Sequence, residues 1–350
     1  MEISGKKQVN IREDNKSAVI DLLLQEKEAT LLQLSTRLNL SHTAMIKVMR
    51  ELQEKNVVFL KSSETATNGR PPRIYGINGD CAIACAVVVM RKKIFVYYFD
   101  MRGFEINQQV IENRFATFEE LLQYAKTQVV HLKAHSRLQD RVLKYIHIGI
   151  PSGYFYETSF SDLAKTAQSA FEEAFPGIRI VVNRNVDYEM TAEKTYGLLK
   201  GGQPNAVLLN FDDFLCASLS FNGNVYNGDS RGQGLYPKEK FGGLNAVLEK
   251  NPQLISQYCA GEKKAAVLIE NAMDGALEWL SGVLSFLDVR EVVISGVAKK
   301  LGERFLQYMN ERLGGGYILR YSVMGKDVQS ALAGAVWLST YSTLQEIILR

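Results

Sequence analysis

The chain has 350 residues, 46% of them hydrophobic and 23% charged, with a formal net charge of +3. That length points to two or three domains, the composition is that of a globular protein with sizeable cores, and no apolar run approaches the roughly 20 residues a bilayer span needs. Four cysteines, Cys81, Cys85, Cys216 and Cys259, form no CxxC pair and have no histidine at ligand spacing. Buried free thiols are therefore expected, and no metal or other cofactor is.

The N-terminal segment MEISGKKQVNIREDNK is polar and has no apolar signal-like core, so a cytoplasmic location is expected and residues 1–15 read as a flexible arm. From Lys16 to Glu26 the residues Val19, Ile20, Leu22, Leu23 and Leu24 fit one helix behind an Asn15 cap. Leu31, Leu34 and Leu38 predict a second helix, and Asn39-Leu40 a turn. Ser41 is a good cap for a third helix with Met45, Val48, Met49 and Leu52 on its core side. His42, Thr43, Ile46, Lys47 and Arg50 then share another face, either as a solvated helix surface or as the groove-facing side of a helix-turn-helix.

The segment after this helix favours the groove-facing alternative. Val57 to Leu60 is a predicted strand, Lys61 to Thr67 a polar loop, and Asn68-Gly69-Arg70-Pro71-Pro72-Arg73 precedes a second strand over Ile74 to Ile77. Gly69 permits a tight turn, the prolines stiffen the approach to the second strand, and Arg70 and Arg73 present fixed charges suited to a phosphate backbone or minor groove. Charge supports this. Residues 1–75 hold 12 Lys/Arg against 9 Asp/Glu, whereas the rest of the chain holds 29 against 29. An excess of cations on the unit that would meet a polyanion is the expected footprint of nucleic-acid binding. Residues 16–78 are thus expected to be a winged helix-turn-helix that binds double-stranded DNA through Ser41, His42, Thr43, Lys47, Arg50, Asn68, Gly69, Arg70 and Arg73.

Asn78-Gly79-Asp80 marks a boundary, after which the pattern is α/β. Strands are predicted at Cys81–Val89, Ile94–Phe99 and Gln108–Ile111, then a helix at Phe118–His135, a strand at Tyr145–Ile150, a helix at Ser161–Phe175 and a strand at Ile178–Val182. A helix over Val186–Leu199 leads to three more strands, Ala206–Phe211, Leu215–Phe221 and Asn224–Tyr226, with Asn222-Gly223 as a hairpin turn. Helices come next within Leu244–Cys259 and Lys263–Leu287, then a strand at Val292–Ser295, a helix at Ala298–Leu313 and a strand at Tyr317–Tyr321. The last segment, Val328–Leu349, reads as helical with a break near Ser339–Ser342. The repeated order of three strands, helix, strand, helix, strand predicts two similar lobes facing each other across a ligand cleft.

With these segments in place the chain resembles the ROK family (repressor, open reading frame, kinase), in which a winged helix-turn-helix precedes a two-lobed sugar-kinase domain of the actin-like ATPase fold. The resemblance runs from about Lys16 to the C-terminus. It is carried by Gly69-Arg70-Pro71-Pro72-Arg73, Ile148-Gly149-Ile150-Pro151-Ser152-Gly153, Val182-Asn183-Arg184-Asn185-Val186-Asp187, Asn222 to Gly228, Val292 to Val297 and Ala331-Leu332-Ala333-Gly334-Ala335. It implies residues 79–350 in two lobes, about 79–200 with part of the C-terminus and about 201–335.

The departures from the family pattern concern catalysis. Where a family kinase opens on a strand like GVDLGGT, this chain has Ala86-Val87-Val88-Val89-Met90, with Val88 in place of the Asp. The second phosphate loop, LGTGIGAG in the family, matches Phe211-Asp212-Asp213-Phe214-Leu215-Cys216-Ala217-Ser218, which lacks the glycines that cradle phosphate. The END motif matches Asn183-Arg184-Asn185, and an amide cannot serve as the general base. The GEIGH motif matches Gly234-Leu235-Tyr236-Pro237-Lys238, losing the sugar-binding Glu and the zinc-binding His, and the CxCGxxGC loop has no counterpart after it.

The resemblance therefore implies a transcriptional regulator, a repressor of carbohydrate-metabolism genes. Its kinase-derived domain would not phosphorylate, would form a homodimer or homotetramer, and would take a sugar or sugar-derived effector through Asn183, Arg184, Asn185, Asp187, Asp212 and Asp213. Two alternatives stand beside it: an active sugar kinase with a DNA-binding domain, and a regulator whose C-terminal domain is purely structural.

Overall fold

The computed structural model describes residues 2–61, 73–151, 158–212, 215–228, 243–325 and 327–349. The N-terminal unit contains α1 (Glu2–Glu26), β1 (Glu28–Thr30), α2 (Leu31–Arg37), α3 (His42–Glu54), β2 (Val58–Lys61) and β3 (Ile74–Ile77). The three short strands form one antiparallel sheet in the order β1-β3-β2, giving a helix-turn-helix with a β-wing. Val19, Ile20 and Leu23 of α1 pack with Leu34 of α2 and with Met45, Met49 and Leu52 of α3, all at most 1% exposed. Burial of each such side chain contributes about 1.5–3 kcal/mol.

This unit differs from the sequence reading in two places. Residues 2–15, expected as a flexible arm, are the first turns of α1, and the Arg12 guanidinium pairs with Glu51 of α3. β1 had no predicted counterpart; it is three residues long and exists through its pairing with β3.

The remainder forms two lobes of identical strand order. Lobe I contains β4 (Ile83–Val89), β5 (Lys93–Asp100), β6 (Glu105–Glu112), α4 (Phe118–Lys133), β7 (Leu143–Ile150), α5 (Phe160–Ala174) and β8 (Arg179–Arg184), in the sheet β6-β5-β4-β7-β8. It is followed by α6 (Asn185–Thr195). Lobe II contains β9 (Ala206–Phe211), β10 (Leu215–Phe221), β11 (Asn224–Tyr226), α7 (Leu244–Lys250), α8 (Leu254–Cys259), α9 (Lys263–Leu287), β12 (Glu291–Ser295), α10 (Gly302–Arg312) and β13 (Ile318–Tyr321). Its sheet, β11-β10-β9-β12-β13, repeats the arrangement of an antiparallel meander followed by two parallel strands. The helix expected from Ala298 is a 3-10 segment over Gly296–Leu301 that leads into α10.

The final helix, α11 (Asp327–Leu349), is continuous through Ser339–Ser342, where a break was expected. Ser339, Thr340 and Thr343 are buried there, and Gly334 lies so close to α6 that a Cβ would meet the Tyr188 carbonyl oxygen at 1.9 Å. Small side chains read as helix breakers are thus the means by which α11 approaches α6 and the sheet of lobe I.

Successive residues of β4 face opposite sides of the sheet. Ile83, Cys85, Val87 and Val89 pack under α4 and α5, whereas Ala84, Ala86 and Val88 join a core shared with α11 and the N-terminal unit. The N-terminal unit and lobe I therefore have one continuous apolar core. Lobe II has its own, built on α7 to α10, and meets α6 on its other face through Val186, Met190, Leu208 and Val293. No helix among the described residues is long and apolar enough to cross a membrane.

Candidate functional site

Two places collect the residues singled out from sequence. The first is the exposed face of α3. Thr30 caps α2 through a reciprocal box with Gln33, the Gln33 amide donating to Thr30 Oγ1 at 3.2 Å and the Thr30 amide to Gln33 Oε1 at 2.8 Å. Asn39, at φ +50°, makes the turn in the left-handed region that Asn tolerates better than most residues. Ser41 then caps α3 by accepting from the Ala44 amide at 3.2 Å, an interaction of about 1 kcal/mol. Ser41 is thereby committed to the helix end, while His42, Thr43, Lys47 and Arg50 are exposed together with Ile46. Lys47 has no partner among the described residues, and Arg50 has a long contact with Glu54 at 3.8 Å. On the wing, Lys61 pairs with Glu28 at 3.0 Å and Arg73 is exposed. Asn68, Gly69 and Arg70 lie outside the described residues.

The second place is α6, held between the lobes. Every residue from Asn185 to Glu193 is buried. Arg184 and Asp187 form a bidentate pair at 2.8 and 2.6 Å, both side chains under one-tenth exposed. Arg184 also donates to the Ala217 carbonyl at 3.2 Å, and Ser218 Oγ donates to Asp187 at 2.8 Å. Asn185 points its amide back to lobe I and donates to the Val89 carbonyl at 2.8 Å. Val88, one residue earlier, is fully buried in the apolar core.

Further along α6, Glu189 accepts from Asn210 at 3.1 Å and from Ser295 at 2.8 Å. Glu193 accepts from the Leu198 amide at 2.9 Å and from Ser322. The Asp212 amide donates to Asn210 Oδ1 at 2.9 Å, and Asn210 Nδ2 donates to Asp212 Oδ2 at 3.2 Å. On the lobe I side Tyr188 meets His147 at 3.2 Å, and burial pushes the imidazole down to about 3. The carboxylates of α6 are thus matched by Arg184 and by hydroxyls and amides drawn mostly from lobe II, while its amide and phenol face lobe I. Such an arrangement holds two lobes in register.

Of the expected effector residues, Arg184 and Asn185 are turned to internal partners and Asp212 to Asn210. Asn183 and Asp187 border a cavity of about 470 Å³ between α1, α6, α11 and the β10–β11 hairpin. Asp213, Leu235 and Lys238 lie outside the described residues. Glu189, Glu193, Asn210, Ser295 and Ser322 were not singled out from sequence. They meet across separations of up to 129 residues, and NVDYEMTAEKT, polar on every side, has no apolar stripe to announce burial.

No family model matches the sequence, and no curated protein does. Solved structures do. A ROK family transcriptional regulator described as a homologue of the E. coli MLC protein superposes with a TM-score of 0.75 at 14% identity, over 97% of this chain and 100% of that one. A ROK hexokinase from Thermus thermophilus gives 0.57 at 17% identity, over 75% of this chain and 99% of its own. A ROK family glucokinase from Streptomyces griseus, solved with glucose and AMPPNP, gives 0.53 at 13% identity, over 74% and 99%. The fold is therefore that of ROK proteins, with the regulator matching nearly the whole chain and the kinases about three quarters of it.

Proposed function

We propose that this chain is a cytoplasmic, DNA-binding transcriptional regulator, a repressor of carbohydrate-metabolism genes with a kinase-derived body that does not phosphorylate. The observation that carries the reading is the state of α3. It is capped at Ser41, anchored by Met45, Val48, Met49 and Leu52, and exposes Lys47 and Arg50, which have no close partners among the described residues. An exposed cationic helix on a winged scaffold fits the major groove, where Lys and Arg pair with guanine edges and phosphates. Two such units in a homodimer or homotetramer would read the two halves of a roughly palindromic site.

The absence of catalysis is inferred from the opposite condition at α6. Asn185 is an amide engaged by Val89, and Val88 leaves no carboxylate for a metal-linked phosphate. Binding of the purified chain to random duplex DNA should weaken steeply with salt, as counterion release requires. A panel of sugars with ATP should give no turnover; turnover lost on changing Asn185 would establish the kinase reading instead. Unaltered melting with every sugar tested would favour a purely structural body, because a ligand of the folded state raises its melting temperature.

A further inference from the structure

The cavity between α1, α6, α11 and the β10–β11 hairpin joins the reader to both lobes. Asp21 and Gln25, one turn apart on α1, form one wall; Trp337 and Tyr341 of α11 form another; the hairpin from Gly223 closes the third. The rings of Trp337 and Tyr341 lie parallel, 6° apart in orientation with centroids at 6.4 Å, and Tyr196 sets its ring against Trp337 edge to face.

The charges on these walls are not equivalent. Asp187 is neutralised by Arg184, and Lys194 donates to the Gly223 carbonyl. Asp21 alone has no hydrogen-bond or ion-pair partner among the described residues, and burial pushes its carboxyl up to about 6. A partly desolvated, unpaired carboxylate beside two stacked aromatic rings is poorly matched to water and well matched to a cation. Among the described residues lining the cavity the one cation, Lys194, is tied to the Gly223 carbonyl and no arginine joins it, so a phosphate or carboxylate ligand finds no bidentate partner there.

We propose that this cavity binds a small hydroxylated organic cation, whose ammonium group sits between Asp21 and the Trp337–Tyr341 wall while Asn183, Thr191 and Asn224 meet its hydroxyls. The volume of about 470 Å³ suits a molecule of metabolite size. Occupancy would tie α1, whose Val19, Ile20 and Leu23 are the reader's core, to the lobe II hairpin, and so bias the reader's position. Binding stands independently of the DNA-binding reading; only its coupling to DNA affinity rests on it.

The test uses the full chain with Trp279→Phe, which leaves Trp337 as the single tryptophan of the two. Its emission is titrated with choline and with D-glucosamine at constant ionic strength, beside the uncharged carbon isostere of choline and beside glucose 6-phosphate. Saturable changes are expected with both cations. The isostere should bind at least tenfold more weakly, the phosphate should not bind, and Asp21→Asn should weaken the cations at least tenfold without lowering the melting temperature. Saturation-transfer NMR on the parent chain guards against an effect of Trp279→Phe. Absence of binding by both cations, equal binding of the isostere, or an undiminished response in Asp21→Asn would overturn the proposal. Cation binding that depends on Asp21 in a chain that binds no DNA would keep the site and sink the DNA reading.

Discussion

The helices α3 and α6 are both short and polar, yet they use their polar groups in opposite ways. On α3 Met45, Val48, Met49 and Leu52 are buried, and Lys47 and Arg50 face solvent without close partners among the described residues. Along α6 and at its N-terminal flank Arg184, Asp187, Glu189 and Glu193 are themselves buried, and each has a partner within the chain. Exposed, uncommitted polar groups are available to another molecule; buried, matched ones hold their own molecule together. The helix between the two lobes has thus turned its polar side chains inward.

The sharpest way to break this contrast is to leave an α6 charge alone. Arg184→Leu strips Asp187 of its buried counterion, and loss of one partner of such a pair costs about 3–5 kcal/mol. Denaturant unfolding should show that loss, whereas a change under about 1 kcal/mol would mean Asp187 is satisfied by water. Gly334→Ala comes next. Its methyl would collide with the Tyr188 carbonyl, and overpacking of this kind costs about 1–3 kcal/mol. An unchanged melting temperature would show that α6 and α11 separate freely. Asn185→Asp restores the family's acid but sets it against the Val89 carbonyl, for a penalty of about 1–3 kcal/mol and no phosphoryl transfer. Sugar phosphorylation by that variant would place the lost chemistry in one residue alone.

The pH dependence of stability reads the contrast in small steps. His147 is held near 3 in the fold against 6.5 when free, so between those values the unfolded chain binds more protons. Stability should therefore fall as pH drops through that window, by up to about 1.4 kcal/mol per unit from this group. Asp21 works in the opposite sense: its raised value, about 6 against 3.8, means that stability is complete at low pH and is lost as pH rises through about 6. His147→Gln should flatten the acid-side slope and Asp21→Asn should steepen it. Equal slopes in the three proteins would refute both assignments.

The same contrast explains what the sequence displays. The reader's core was legible because Met45, Val48, Met49 and Leu52 repeat at helical spacing, and both sheets were legible because their strands are apolar runs bounded by turns such as Asn222-Gly223. The first turns of α1 were not, since the contact described there is an ion pair between Arg12 and Glu51 rather than an apolar stripe. Nor was the burial of α6, whose polar residues are satisfied by partners brought from Asn210, Ser295 and Ser322. Periodicity reports which side chains avoid water, and it is silent about polar groups that find one another. The unbroken course of α11 escaped for a related reason: Ser339 and Thr340 look like a break until a close neighbouring helix requires small side chains.

The central claim is best tested by selecting a binding sequence from random duplex DNA with the full chain, then measuring the affinity of Lys47→Ala, Arg50→Ala and the double variant for it. Each groove contact of this type discriminates by about 1–3 kcal/mol, so the double variant should bind on the order of a hundredfold more weakly. Its stability should stay within about 0.5 kcal/mol of the parent, as for other exposed substitutions. A double variant that binds the selected sequence as tightly as the parent would contradict the assignment of α3 as the reading helix.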